Sequence, residues 1–467
     1  GGNGGGHTTH YTNNAWSNGW SRTAPNNNRW STTKNNNWNN RSSNTWGVKW
    51  CACPTDPPTP KPTPRPTVPS PTYSPTDSPT YRPTNPPDLE TCEWFFWGAE
   101  EARGNTLANN QRVPDLYDWP TVVDLSSGSR HIFIIDRKGE AQVSGFVESR
   151  TAYRGHLGIK GWVQGSNDFI AIEHVVVNSG TIPLTVPAPR FKRVFAGAGT
   201  PGDARAMHSI LISEDGDVFT FGNNHRGQLC LGDQENRDIP HQVPNLPGPA
   251  AAAAVGLDFT LIVLEDGQVF GCGSNQNGEI GQERKIHHSL VTTPINMPNT
   301  TEPIVDVSTG WAYSLFQDAG GQVFGTGSNL FSQMCKSTEG DPFYEVVPIE
   351  GVSNVQQIFG GSESSYFLLN DGSVKACGRN DQGQLGDGSF AQRDRPVRVK
   401  IPKGNQIKLI GSGPSAVSVF FVAENELGLV FASGINDRSQ LGLNENNVAA
   451  ANSPSRVYFG QDARMFN

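Results

Sequence analysis

Beyond residue 92 the chain is written in short runs of alternating apolar and polar residues, each entered through a turn pair and left through a glycine. The clearest run is Asp215 to Gly232, DGDVFTFGNNHRGQLCLG. It returns as EDGQVFGCGSNQNGEIG from Glu265, AGGQVFGTGSNLFSQMC from Ala319 and NDGSVKACGRNDQGQLG from Asn370. Alternation with a period of two predicts half-buried strands, and the Asp-Gly or Gly-Gly pairs supply the positive φ that a tight hairpin needs. Weaker copies surround Gly145 and Gly434, and a half copy ends at Gly98. The chain is therefore expected to be all-β.

The strand-end glycines fall at Gly98, Gly145, Gly222, Gly273, Gly327, Gly378 and Gly434, with four spacings of 51 to 56 residues, one of 47 and one of 77. A period of that size with several strands per unit predicts a β-propeller, here of seven blades. Arg456 to Phe459 is the last strand candidate available to close the ring, and closure is expected to fall short by a strand or two. The 77-residue spacing is read as an insertion, a long surface loop carrying Tyr153, His156 and Trp162.

These residues resemble the regulator of chromosome condensation propellers, whose repeat ends in Gly-x-Asn, then Gly-Gln-Leu-Gly, then Pro and Val. The matching residues are Gly222-Asn223 with Gly227-Gln228-Leu229, Gly378 and Asn380 with Gly383 to Gly386, and Gly434 and Asn436 with Gln440-Leu441-Gly442. Pro240 and Val243, and Pro396 and Val397, follow the pattern. The resemblance covers roughly residues 92 to 460. It implies a propeller and, as one activity, guanine-nucleotide exchange on a small GTPase; the family's founding protein also binds chromatin through basic regions, which this acidic head lacks.

Two low-complexity segments precede the repeats, so the expected domains are a tail at 1–53, a stalk at 54–87 and the propeller at 88–467. The tail is rich in Asn, Gly, Ser and Thr and carries Trp16, Trp20, Trp30, Trp38, Trp46 and Trp50, candidate platforms for stacking on sugars or neighbouring subunits. Disorder is the competing reading. Residues 54–87 hold 14 Pro and 8 Thr. Such density enforces polyproline II, a stiff spacer of about 105 Å. Thr55, Thr59, Thr63, Thr67, Thr72, Thr76, Thr80 and Thr84 are candidate O-glycosylation sites on it, and Asn40 and Asn299 head N-glycosylation triplets. A bare linker or a docking ligand for a proline-recognition domain would share that composition.

Net charge is −8, divided between five basic and no acidic groups in residues 1–50 and a remainder of 31 − 44 = −13. Five positive charges spread over that length make too thin a footprint for nucleic acid. No run of about 18 apolar residues predicts a membrane span. Beginning at Gly1, the chain reads as starting within a longer precursor or at a processed end.

Seven cysteines sort by position. Cys272 and Cys377 stand just before a strand-end glycine, and Cys230 and Cys335 replace the last Gly of Gly-Gln-Leu-Gly; repetition at equivalent sites predicts small buried thiols. Cys51, Cys53 and Cys92 flank the Pro-Thr segment and are disulfide candidates. Cys51-Ala52-Cys53 lacks a second ligand pair, so no zinc site is predicted.

No nucleophile elbow, phosphate loop or zinc helix is present, and Glu214, Glu265 and Asp266 read as turn residues before glycine. The chain is accordingly expected not to be an enzyme and to need no cofactor or metal. Composition suggests a structural subunit of a secreted glycoprotein fibre, resembling algal extracellular glycoproteins of flagellar hairs or cell walls, with copies of itself and covalent glycans as partners. An extracellular adhesion or carbohydrate-binding protein and a GTPase exchange factor are the alternatives.

Overall fold

A computed structural model describes residues 45–50, 93–98, 115–118 and, with short interruptions, 122–457. The chain divides into units at residues 1–40 and 41–467, and every described residue lies in the second.

Ala250–Val255, Phe259–Leu264, Val269–Ser274 and His288–Pro294 show how one repeat folds. The first three strands form an antiparallel meander, and the fourth returns along the third. The hairpin at Asp266-Gly267 is tight because Gly267 adopts φ +86°, a conformation that costs a residue with a Cβ about 1–2 kcal/mol.

Six such four-stranded blades follow one another. Their first strands are Val122–Ser127, Phe191–Ala196, Ala250–Val255, Ile304–Thr309, Val355–Gly360 and Ile407–Gly411, and we number the blades 1 to 6 in that order. The count corrects the seven expected. The half copy at Gly98 lies in a three-stranded sheet of Thr45–Trp50, Glu93–Gly98 and Asp115–Asp118. A blade needs a strand and hairpin ahead of its glycine, and the Pro-rich stretch upstream of Glu93 cannot supply them. Trp50 pairs with Glu93 in this sheet. The last strand, Ala450–Arg456, is the fourth strand of blade 6.

The insertion folds as a hairpin, His174–Asn178 with Pro183–Pro187, added to the outer edge of blade 2 through a parallel bridge between Val176 and His241. A surface loop was expected. The β-branched run Val175 to Val177 and the alternating Leu184-Thr185-Val186 explain the strand pairing, and Val175 is fully buried. Tyr153, His156 and Trp162 lie outside the described residues.

Apolar cores form between blades. Phe133 and Val143 of blade 1 pack with Leu211 and Phe221 of blade 2, and Tyr313 and Leu315 of blade 4 pack with Phe367 and Cys377 of blade 5. The seams also carry a repeated polar bond. Hydroxyls of Thr260, Ser314 and Ser365 donate to the carbonyls of Gln228, Glu279 and Gln333 of the preceding blade, at 2.8, 2.5 and 2.6 Å.

Every first strand has a register shift at its second residue, from Val122/Asp124 to Ile407/Leu409. A bulge there re-aims the third residue. Asp124 thus accepts from the Val194 amide at 2.9 Å, and Gln357 bonds both polar groups of Ile410. Arg193 stands 3.7 Å from Asp124 and lies over Phe195.

Candidate interaction face

The loops after the first and third strands of a blade emerge on the same face, because those two strands run in parallel directions through the meander. The loop after the third strand is built around one asparagine. Asn224, Asn275, Asn329, Asn380 and Asn436 are buried, and each accepts through Oδ1 from the amide five residues on, at 2.9 to 3.3 Å. Their amide groups also donate to carbonyls further along; Asn329 Nδ2 reaches Ser337 O at 2.7 Å. The anchor of blade 2 is therefore Asn224, where the repeat pattern pointed to Asn223.

A fixed anchor leaves the two residues after it on the outside. In blades 2, 3 and 5 these are His225-Arg226, Gln276-Asn277 and Asp381-Gln382, all polar; in blade 4 they are Leu330-Phe331. Leu330 is 59% exposed. The next residue, Ser332, keeps φ +64° where blades 2, 3 and 5 have glycine. Its hydroxyl accepts from Gln392 Nε2 of blade 5 at 3.1 Å, which ties the two loops together.

Three more side chains belong to the loops on this face of blades 4 and 5. Arg379 of blade 5 lies with its guanidinium 5.0 Å from the Phe331 ring centre, a cation over an aromatic face. Its nitrogens bond Asp381 at 2.7 and 2.8 Å and Glu363 at 2.5 Å. That fork holds the Asp381 carboxyl below its usual range, and the same contacts raise the guanidinium further. Trp311, in the first loop of blade 4, is 40% exposed and donates its amide to Ser362 O. Phe390, in the outer loop of blade 5, is 52% exposed.

Of the seven large apolar residues exposed among the described residues, Trp311, Leu330 and Phe390 belong to this face of blades 4 and 5. Single exposed apolar residues are ordinary, but three on adjoining loops with a held arginine form a surface suited to another protein. The same face of blades 2 and 3 is polar, with His225 at 3.6 Å from Asp258.

Sequence reasoning selected other residues. Trp46 and Trp50 lie in the first strand, in register with Trp97 and Glu93. Trp16, Trp20, Trp30, Trp38, the eight Pro-Thr threonines, Asn40, Asn299, Cys51, Cys53 and Cys92 lie outside the described residues. The four repeat cysteines, expected as thiols, are bonded as Cys230–Cys272 and Cys335–Cys377. The reason is spatial: the loop of one blade lies against the third strand of the next. No group of three or more metal-ligating side chains is found among the described residues.

Residues 215–263, 266–317 and 371–418 match the regulator of chromosome condensation (RCC1) repeat, and a second model of that repeat matches 251–279 and 355–384. The ultraviolet-B receptor UVR8 of Arabidopsis thaliana is 26% identical over 341 residues, 71% of this chain and 72% of the receptor. The secretion-regulating guanine nucleotide exchange factor of Bos taurus is 30% identical over 261 residues, 54% of this chain and 53% of that protein. Among solved structures, Prp20p of Saccharomyces cerevisiae superposes with a TM-score of 0.61 at 18% identity, covering 79% of this chain and 86% of Prp20p. Human WBSCR16 gives 0.60 at 19% identity, covering 75% and 85%.

These relatives overturn the expected fibre subunit and its expected partner, copies of itself in a polymer. They include a receptor and an exchange factor.

Proposed function

We propose that this chain, an RCC1-like β-propeller, promotes guanine-nucleotide exchange on a small GTPase and engages it through the blade 4 and 5 face around Trp311 and Arg379. The observation that carries the reading is the 261-residue match to the secretion-regulating guanine nucleotide exchange factor. The exposed apolar and cationic face supports it by providing the contact surface that an exchange factor needs.

Exchange makes and breaks no covalent bond. A partner accelerates it by binding the nucleotide-free GTPase more tightly than the loaded form, and only that difference in affinity lowers the barrier to release. A rigid face with buried anchors suits this task, since little ordering is required on binding. Trp and Arg are the residue types that most often dominate such interfaces.

The test is release of a fluorescent guanine nucleotide from a panel of small GTPases by the full chain. Acceleration of one member, reduced by Trp311→Ala and Arg379→Ala, is the expected result. No acceleration of any member removes the reading.

A further inference from the structure

Cys230 and Cys335 occupy the last position of the Gly-Gln-Leu-Gly element, where Gly281, Gly386 and Gly442 adopt φ +59°, +63° and +61°. The two cysteines adopt +60° and +52°. A residue with a Cβ is strained there by about 1–2 kcal/mol. A Cβ placed at Gly386 would lie 3.1 Å from Ser433 Oγ of the next blade, and one at Gly281 would lie 3.8 Å from Thr326 Cγ2. One placed at Gly158 would meet the Phe221 ring. The site therefore faces the residue before the next blade's strand-end glycine at every one of these seams. In blades 3 and 5 that residue is Cys272 and Cys377, with Cα separations of 5.5 Å from Cys230 and 5.3 Å from Cys335.

The pattern alternates. Seams 2–3 and 4–5 are covalent, whereas seams 1–2, 3–4 and 5–6 carry Gly158 with Phe221, Gly281 with Thr326 and Gly386 with Ser433. We infer that oxidation staples the propeller into two covalent blade pairs, 2–3 and 4–5, and that the chain folds under conditions oxidising enough to form both bonds. Each bond forms when two cysteine thiols reduce one disulfide-bearing oxidant: the oxidant leaves as two thiols, and the two sulfurs join. All four sulfurs belong to residues exposed by 5% or less. Once formed, the bonds are shielded from exchange, the character of structural disulfides in oxidising compartments.

Thiols are trapped by alkylation at lysis in the cells that make the protein, which is then denatured without reductant and mapped. The expected result is two linked peptide pairs, 230 with 272 and 335 with 377, and no alkylation at any of the four. Alkylation at these positions overturns the inference. A second measurement uses Cys230→Gly, which restores the residue that blades 3, 5 and 6 carry. If Cys230 were a buried thiol, removing its strained Cβ would leave Tm unchanged or raised. With the staple, Tm falls by roughly 5–10 °C in the oxidised protein. After reduction that difference disappears. Running the nucleotide-exchange assay on oxidised and reduced protein keeps the two proposals separate, because thiol mapping is independent of GTPase activity.

Discussion

The Arg379 guanidinium covers the Phe331 ring of the preceding blade while its nitrogens hold Glu363 and Asp381 of its own blade. One side chain thereby covers a half-buried aromatic ring and holds the Asp381 carboxyl below its usual range. Arg379→Ala leaves Glu363, whose side chain is only 12% exposed, without its cation. The expected loss is about 1–2 kcal/mol, below the range for a fully buried pair because Arg379 itself is 35% exposed. Arg379→Lys keeps the charge but not the fork or the stack, and recovers less than half of that loss. Denaturant midpoints of the two variants decide the matter, and an alanine variant within about 0.5 kcal/mol of wild type would show that Arg379 holds nothing in place.

Trp311 separates binding from stability. Its side chain is 40% exposed and sits in a loop whose backbone is held by Ser362. Trp311→Ala is expected to shift stability by no more than about 0.5 kcal/mol, as for other surface substitutions. Nucleotide release by the variant is expected to fall at least about tenfold, the scale set by an interface hot spot. Loss of stability with normal exchange would place Trp311 in the fold and outside the interface.

How far these features could be read from the chain depends on whether they are local. Gly267, Gly378 and the anchors Asn380 and Asn436 are visible because each position's role is fixed by a few neighbouring residues, whereas in blade 2 the pattern chose Asn223 beside the true anchor Asn224. Blade number is a long-range property: the run ending at Gly98 has the letters of a strand end, yet its partners come from 45–50 and 115–118. The disulfides escaped for a related reason. Cysteines were compared at equivalent places within repeats, which suggests plain packing, whereas the pairing joins the loop of one repeat to the strand of the next. The interaction face was half legible. Leu330-Phe331 breaks a pattern that is polar in its neighbours, a signal present in the alignment of repeats. That Arg379 stands over Phe331 needed the placement of blade 5.

Asp306 gives the pH dependence. Desolvation of its half-buried carboxyl raises its pKa from 3.8 to about 6, against the opposing pull of the Val307 amide and the Arg193 charge. Arg193 also faces Asp124 from the adjoining strand. Because the folded pKa is raised, the folded state holds its proton more tightly than the unfolded chain does. The associated stability is complete below about pH 4 and is lost as pH rises through about 6. Asp306→Asn removes the charge without changing shape, so it is expected to stabilise by about 1–3 kcal/mol at pH 8 and to make no difference at pH 4. Equal effects at both values would assign the change to packing, and greater stability of wild type at pH 8 would mean that Arg193 pairs with Asp306 strongly enough to reverse the sign.

Gly378 tests why the strand-end glycine recurs. It adopts φ +106°, and a Cβ there would lie 2.6 Å from Glu363 O and 2.8 Å from Ser364 Cα, both backbone atoms of the neighbouring strand. Two costs therefore add in Gly378→Ala: the strain of a positive φ and a collision that the paired strand cannot relieve without breaking its ladder with 374–378. Gly404 separates them, since it has φ +85° with nothing within 4 Å of a Cβ. Gly404→Ala is expected to cost about 1 kcal/mol, from conformation alone. Gly378→Ala is expected to cost about 2–4 kcal/mol. Urea titrations of both variants measure the difference. Equal losses would mean that the glycine is retained only for its backbone angle, and the close passage of the second strand past the third would then not be what the repeat is built around.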